Sequence, residues 1–320
     1  MKRCNAVFEG GGVRGIGHVG AVCRLEQAGY EFADTAGSSA GAMVAALLAA
    51  GYTGKELKKE LESMDYMKFK GMDLPDYFGV VGKVFSLLIS LGIYDTKYLE
   101  AWMEELLAKK GIKNFGDLKK RGKILKITAS DLTEKRLLIF PDDLEEFGIQ
   151  REEFSVAAAV RMSVSIPVFF EPVKWKDRHG KTHVIVDGGL LSNYPVWLLD
   201  DGERVPEKPT FGFKFLDEKE ACKCNSCQAS TNIVDYLKSI ISTCLDAVDH
   251  NHLIEGDFER TIRISTAVGF GEEKHKINAV DFNINRKDSQ ALFENGWMAA
   301  EHFLNGWNFE GWKRRFRQNN

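Results

Sequence analysis

Short apolar runs alternate with longer amphipathic segments along most of this 320-residue chain. Short apolar runs between turn residues are typical of buried strands, and apolar positions three and four residues apart are typical of helices. The runs predict strands at residues 5–8, 32–36, 124–129, 135–140, 183–186, 210–215 and 261–264. The spacing predicts helices at residues 16–28, 42–50, 55–64, 97–110, 151–162, 233–250 and 289–304. This alternation favours an α/β fold with a largely parallel central sheet.

Two segments have apolar surfaces that burial or a membrane could cover. Residues 80–94 form a long apolar run that would extend roughly 22 Å as a helix, less than the ~30 Å hydrocarbon core. We expect a buried helix there. The alternatives are a lid over Ser39 and an anchor in the membrane interface. Near the C-terminus, Phe309, Trp312 and Phe316 share one helical face among basic residues. A docked terminal helix and a membrane-interface helix both fit, and nucleic-acid binding is a third, weaker reading.

Composition narrows the class of protein. The 43 basic and 46 acidic residues leave a formal charge of −3, which predicts no general attraction to nucleic acid or anionic membranes. The first apolar stretch is too short for a signal peptide, so a cytoplasmic protein is expected, in a single domain covering 1–320. Six cysteines then indicate reduced thiols. Cys222, Cys224 and Cys227 cluster in residues 217–232, which read as a polar surface loop, with a zinc site as the open alternative.

A glycine run lies between the first predicted strand and the first predicted helix. It comprises Gly10, Gly11, Gly12, Val13, Arg14 and Gly15. Without bulky side chains, successive backbone N–H groups can converge on one point at a helix N-terminus. Such a loop can hold a phosphate or the oxyanion of an acyl-transfer intermediate.

A second glycine motif favours the oxyanion. Gly37, Ser39 and Gly41 have the spacing of a nucleophile elbow, in which a sharp strand-to-helix turn exposes the serine Oγ. The apolar run that follows Gly41 supplies the helix that such an elbow needs. Together the two motifs predict a nucleophile beside a cradle for its tetrahedral intermediate.

The serine needs a proton acceptor. Asp187 follows a predicted strand directly, and Gly188 and Gly189 allow the backbone to turn there, although an ordinary Asp-Gly turn has the same residues. A hydrolase triad would place a histidine later in the chain. None of the later histidines lies in a glycine-rich turn, and His18 reads as a packed helix residue; the later ones are His250, His252, His275 and His302.

These motifs resemble the patatin-like phospholipase family. Its Gly-Gly-Gly-x-Arg/Lys-Gly loop is matched by residues 10–15, its Gly-x-Ser-x-Gly elbow by residues 37–41, and its Asp-Gly-Gly/Ala motif by residues 187–189. Softer family features are matched by Ser163, Ser165, Pro167, Phe170, Asn193 and Pro195. The resemblance covers residues 5 to about 215, and the role of 216–320 stays open.

The resemblance implies a three-layer α/β/α fold and a Ser-Asp dyad. Ser39 would be the nucleophile, Asp187 the proton acceptor, and the glycine loop the oxyanion hole, while Arg14 either orients the loop or meets a lipid phosphate. The expected activity is calcium-independent hydrolysis of phospholipid or lysophospholipid esters during transient contact with a membrane surface. No cofactor, metal or nucleic acid is expected. A need for an activator or a second copy stays open.

Three other functions share some of these residues. Gly10, Gly12 and Gly15 also fit the Gly-x-Gly-x-x-Gly pattern of dinucleotide-binding proteins, with Asp34 where a ribose-binding acid would lie. That reading leaves the elbow and Asp187 unexplained. An acyltransferase could use the same acyl-enzyme, and a lipid-binding module without turnover would be expected to lack a dyad residue.

Overall fold

A computed structural model describes residues 2–63, 92–94, 96–200, 205–216, 243–244, 254–269, 271, 274–282 and 284–318. Its strands are β1 (Lys2–Phe8), β2 (Tyr30–Ser38), β3 (Gly92–Tyr94), β4 (Leu125–Asp131), β5 (Arg136–Phe140), β6 (Val168–Phe170), β7 (Val173–Lys176), β8 (Thr182–Asp187), β9 (Thr210–Leu216), β10 (Thr261–Ser265), β11 (Ala267–Val268) and β12 (His275–Lys276). Its α-helices are α1 (Ile16–Gln27), α2 (Ala40–Ala49), α3 (Gly54–Glu62), α4 (Lys97–Lys109), α5 (Phe115–Lys120), α6 (Val156–Ser163), α7 (Glu255–Glu259), α8 (Arg286–Gly306) and α9 (Phe309–Phe316).

A central sheet organises the molecule. Its strand order is β10-β9-β1-β2-β4-β8-β7, and β5 also pairs with β4. The pairs from β10 through β4 are parallel, whereas β4 with β8, β8 with β7, and β4 with β5 are antiparallel. The short turn between β7 and β8 allows only antiparallel pairing, because a parallel crossover needs about a dozen residues. The predicted α/β fold with a largely parallel sheet is confirmed, and helices cover both faces.

The α2 helix lies at the centre of the core. Its Ala, Val and Leu side chains are buried at nearly every position, as expected for a helix that packs on a sheet and is covered by other elements. On the outer side, α1 packs along α8. The elbow and the glycine loop therefore lead into helices whose side chains are largely buried.

The predicted elements differ from the structure mainly at their ends. Each predicted strand is present. Six of the seven extend beyond their apolar run at one end or both, whereas β5 begins one residue later than the predicted 135–140. The predicted helix at 151–162 was wrong at its start: Arg151–Glu153 is a 3-10 turn, and α6 begins only at Val156. The cause is a cap, since Ser155 Oγ accepts a hydrogen bond from Ala158 N–H at 3.2 Å.

Several predictions fall on residues that the structure does not describe. These are the apolar run up to residue 91, the cysteine cluster, His250, His252 and most of the helix at 233–250. The last part of the apolar run is a strand rather than a helix, because β3 pairs in parallel with β6.

The C-terminal helix α9 is docked on the protein. Trp312 is 3% exposed, and its Nε1 donates a hydrogen bond to the Gly256 carbonyl at 2.8 Å. At Trp312 the prediction of a docked terminal helix is therefore confirmed, and that of a membrane-interface helix is not. In the described part of the chain, no helix has the length and apolar character to cross a bilayer.

Candidate active site

Ser39 lies in a sharp turn between β2 and α2. Its backbone has φ 52° and ψ −129°, a conformation that costs free energy for a residue with a side chain. A side chain at Gly37 would place its Cβ 2.5 Å from the Gly41 backbone, so this turn requires glycine there. Strained residues of this kind cluster at functional sites. The two glycines of the predicted elbow thus lie where the turn needs them.

Asp187 contacts this serine directly. Ser39 Oγ donates a hydrogen bond to Asp187 Oδ2 at 2.6 Å, and Gly189 N–H donates to Asp187 Oδ1 at 2.7 Å. Asp187 ends β8, and the chain turns through Gly188 and Gly189 in a 3-10 turn. The structure therefore brings together the two residues that the motifs nominate as nucleophile and base.

The carboxyl group of Asp187 is 1% exposed. Burial raises its pKa to about 7, against the opposing effect of the hydrogen bonds from Ser39 and Gly189. Among the ion pairs of the described residues, none involves Asp187. A carboxylate with a pKa near neutrality is a better proton acceptor than an exposed aspartate at the same pH.

The end of α6 and the segment that follows it contact both members of this pair. Ser163 Oγ accepts a hydrogen bond from Ser39 N–H at 2.9 Å, and the Ser165 carbonyl accepts one from Asp187 N–H at 2.9 Å. Both serines are fully buried. Sequence reasoning noted them only as soft family features and missed this role, for which the Ser-x-Ser pattern was the available signal.

The glycine loop follows β1 and turns into α1 through a 3-10 turn at Gly12–Gly15. Three of its N–H groups are used within the chain: Gly10 donates to the Asn193 carbonyl at 2.9 Å, Val13 to the Ala279 carbonyl at 3.0 Å, and Arg14 to the Gly11 carbonyl at 3.1 Å. The backbone hydrogen bonds of the described residues include none from the N–H groups of Gly11 and Gly12. These two are therefore the loop donors available to a substrate oxygen.

Two side chains set the orientation of those donors. Arg14 Nε donates to the Gly11 carbonyl at 3.2 Å, and Asn193 Nδ2 contacts the Gly10 carbonyl at 3.4 Å. In a trans peptide the C=O and the following N–H point in opposite directions. Holding these carbonyls turns the N–H groups of Gly12 and Gly11 to the other side of the loop. This hydrogen bond of Arg14 fits the first of its two predicted roles, orientation of the loop, which stays a prediction.

Two cavities meet at Ser39. A small one of about 20 Å³ is lined by the glycine loop, Asp187, Asn193 and residues 278–280. An apolar one of about 60 Å³ is lined by α2 and α1 side chains together with Ile166, Phe170 and Phe282. A larger cavity of about 800 Å³ lies beside α8 and β10, but neither Ser39 nor Asp187 lines it. Of these three cavities, the two smaller ones are those that reach Ser39.

The other predicted site residues lie elsewhere. His18 is fully buried and its Nε2 donates to the Glu9 carbonyl at 2.9 Å, as expected of a packed helix residue. Asp34 pairs with Lys208 at 2.5 Å, so its carboxylate does not face the glycine loop as a ribose-binding acid would. Among the described residues, no group of three or more His, Cys, Asp or Glu side chains is arranged to hold a metal ion.

Comparison with known proteins identifies the family of this chain. The sequence model for patatin-like phospholipases matches residues 6–200, and the chain belongs to that family. YqhO of Bacillus subtilis is 37% identical over 306 residues, covering 95% of this chain and 99% of that protein. The probable lipid hydrolase 463L of Invertebrate iridescent virus 6 is 26% identical over 190 residues, 59% of this chain and 61% of that protein.

A solved structure supports the fold. The crystal structure of VipD from Legionella pneumophila matches with a TM-score of 0.54 and 17% sequence identity. The match covers 95% of this chain and 67% of VipD. At this identity the likeness concerns the fold alone.

Proposed function

We propose that this protein is a lipid acyl hydrolase of the phospholipase A or lysophospholipase type, with Ser39 as nucleophile and Asp187 as base. The observation that carries the proposal is the 2.6 Å hydrogen bond between Ser39 Oγ and Asp187 Oδ2. It lies next to the loop N–H groups of Gly11 and Gly12, which have no backbone partner in the part of the chain that the structure describes. Membership of the patatin-like phospholipase family supports the same chemistry, as does the lipid hydrolase name of the viral relative.

The first half of the reaction forms an acyl-enzyme. Ser39 Oγ attacks the ester carbonyl carbon while Asp187 accepts its proton. The resulting oxyanion binds the N–H groups of Gly11 and Gly12. The proton then passes from Asp187 to the oxygen of the leaving alcohol as the C–O bond breaks. Loss of one oxyanion donor typically costs roughly 3 kcal/mol in the transition state, so the loop carries a large share of the rate.

The second half releases the fatty acid. Asp187, ionised again, accepts a proton from water, whose oxygen attacks the acyl carbon on Ser39. The tetrahedral intermediate collapses, and the proton returns to Ser39 Oγ. Nucleophile, base and oxyanion donors all come from the chain, so we propose that the reaction is calcium-independent.

The apolar cavity at Ser39 supports a lipid substrate over a polar ester. Met43 and Val44 of α2, Phe170 and Phe282 offer it an apolar lining, which suits an acyl chain. The substrate is then a phospholipid or lysophospholipid, met during transient contact of the protein with a membrane surface.

The test is fatty-acid release from mixed phospholipid vesicles in EDTA. The wild type should release fatty acid, and Ser39→Ala and Asp187→Asn should each lose about a thousandfold or more, with folding checked by circular dichroism. Labelling of Ser39 by a fluorophosphonate tests the nucleophile separately. Activity retained by either variant, or no labelling of the wild type, would overturn the dyad.

The same assay separates hydrolysis from acyl transfer. Glycerol added to the vesicles offers an alcohol in competition with water. If the acyl chain leaves mainly as a new ester and not as free fatty acid, the acyl-enzyme serves an acyltransferase.

A further inference from the structure

We propose that Glu9, the residue just before the glycine loop, is a positioning residue that sets the oxyanion hole through Asn193 and Phe215. The inference rests on the proposed function of the same site. Glu9 is 5% exposed, which is unusual for a glutamate without a structural or functional reason. Its side chain does not reach the ester, so its effect must travel through its neighbours.

The Glu9 carboxylate connects three separate parts of the chain. Oε1 accepts hydrogen bonds from Lys214 Nζ at 2.8 Å and from Asn193 Nδ2 at 3.4 Å. Oε2 accepts one from the backbone N–H of Phe215. The ammonium of Lys214 balances the buried charge, as a carboxylate in this position requires. Both carboxylate oxygens are therefore in use.

The two neutral partners support the glycine loop from different sides. Asn193 accepts the Gly10 N–H on its carbonyl at 2.9 Å, and its Nδ2 contacts the Gly10 carbonyl at 3.4 Å. This fixes the peptide that presents the Gly11 N–H.

The ring of Phe215 lies against Gly11, where an added Cβ would be 2.3 Å from the ring. The Arg14 guanidinium lies over the same ring, 5.0 Å from its centre. Arg14 in turn holds the Gly11 carbonyl, which fixes the peptide that presents the Gly12 N–H. Glu9 thus anchors the supports of both proposed oxyanion donors.

Only a carboxylate can serve all these donors. A glutamine at this position keeps one acceptor oxygen and places an NH₂ group where the second oxygen was. That NH₂ would face either the Phe215 N–H or the Lys214 ammonium, both of which are donors. One of the two supports is then lost, while the volume of the side chain is unchanged.

The matched variants are Glu9→Gln and Asp34→Asn. Asp34 is also a part-buried carboxylate: it pairs with Lys208 at 2.5 Å and accepts a hydrogen bond from a backbone N–H, that of Ile124 at 3.1 Å. It lies within β2 and touches neither the loop nor the dyad. Both variants lose one ion pair, and only Glu9→Gln disturbs the loop.

The experiment measures hydrolysis of p-nitrophenyl butyrate and inhibition by an alkyl trifluoromethyl ketone, which forms a tetrahedral oxyanion adduct with a serine. For Glu9→Gln we expect kcat to fall about 30-fold with KM within about twofold, since a displaced oxyanion donor acts on the transition state. The ketone should bind weaker by about the same factor. Asp34→Asn should keep kcat and ketone affinity within about twofold, even if its melting temperature falls equally.

Equal kcat in the two folded variants would overturn the role of Glu9, and so would a loss of kcat without a parallel loss of ketone affinity. If Glu9→Gln does not fold, Asn193→Ser breaks the same link one residue further on and should show the same kcat pattern. A wild type without hydrolysis or ketone binding overturns the proposed function together with this inference. An active wild type isolates the outcome for Glu9.

Discussion

The carboxylates around Arg260 and the carboxylate of Asp187 differ in what balances their charge. Arg260 is 2% exposed. It donates to both oxygens of Asp200 at 2.6 Å, and to Asp257 Oδ1 at 2.6 Å. Asp187 is buried to a similar degree, but its partners are the hydroxyl of Ser39 and the N–H of Gly189. Asp200 and Asp257 are paired with a cation, whereas Asp187 has no cationic partner among the described residues.

In the proposed mechanism, this difference separates a structural cluster from the reactive carboxylate. Burial opposes the charge of Arg260, yet the carboxylates of Asp200 and Asp257 raise its pKa above the ordinary value. Arg260 therefore stays charged, and its ion pairs lie at the start of β10. At Asp187, burial without a cation raises the carboxyl pKa to about 7. A buried carboxylate that lacks a cation is costly to keep and able to take up a proton.

The largest effect on stability is expected when the ion pairs of Arg260 are broken. Arg260→Met removes the cation that pairs with the buried Asp257 and leaves Asp200 paired with Arg317, which donates to its Oδ2 at 2.9 Å. Removing one partner of a buried ion pair typically costs about 3–5 kcal/mol. We expect a loss of that size in the free energy of unfolding, measured with urea at neutral pH. A loss below about 1 kcal/mol would show that the ion pairs of Arg260 do not stabilise the fold, and would contradict the structural role given to this cluster. Folded protein should keep its wild-type kcat.

The next largest effect is the pH-dependent contribution of Asp187 to the free energy of unfolding. Its pKa is raised by burial from 3.8 to about 7 in the folded state, so between these pH values the folded protein binds more protons than the unfolded chain. Stability is then lost as pH rises through this window. A pKa difference of three units corresponds to about 4 kcal/mol of folding free energy. Replacing Asp187 by asparagine removes this cost, but the amide makes weaker hydrogen bonds, so we expect a net gain in stability of about 2 kcal/mol.

Asp187→Asn should therefore unfold at a higher urea concentration than the wild type near pH 8, and the advantage should vanish near pH 4. A variant that is less stable than the wild type at both pH values would contradict the raised pKa.

The smallest effect is the pH dependence of activity. The base must be ionised, so kcat/KM for p-nitrophenyl butyrate should rise about tenfold between pH 5 and 6, reach half its maximum near pH 7 and level off above about pH 8. A matched profile of Asp200→Asn should have the same midpoint. A midpoint near 4 in the wild type would mean that Asp187 titrates as an exposed aspartate does.

The glycine loop, the elbow and the Asp-Gly-Gly motif could be predicted because each consists of residues that are close together in the sequence. A strand, a glycine turn and a helix follow one another within residues 5–28, and the Gly-x-Ser-x-Gly spacing describes one turn. Asp187 was found because it ends a strand beside two glycines. The family resemblance then linked these motifs into one site.

The supports of the site were not predictable in the same way. Ser163, Ser165 and Glu9 act through contacts with residues distant in sequence, and no periodic pattern marks such contacts. The close approach of Ala279 to the glycine loop is of the same kind. Short strands such as β6 and β7 also lack enough residues for a period-two pattern to appear.

The distances along the chain have a consequence for how the site comes into being. The bond between Ser39 and Asp187 joins residues 148 positions apart, and that between Glu9 and Lys214 spans 205 positions. Closing such long loops costs entropy that is recovered only when distant strands pair. A chain still on the ribosome holds the elbow and the glycine loop long before β8 and β9 are made. It then has neither base nor support, so the site can assemble only after most of the sheet has been synthesised.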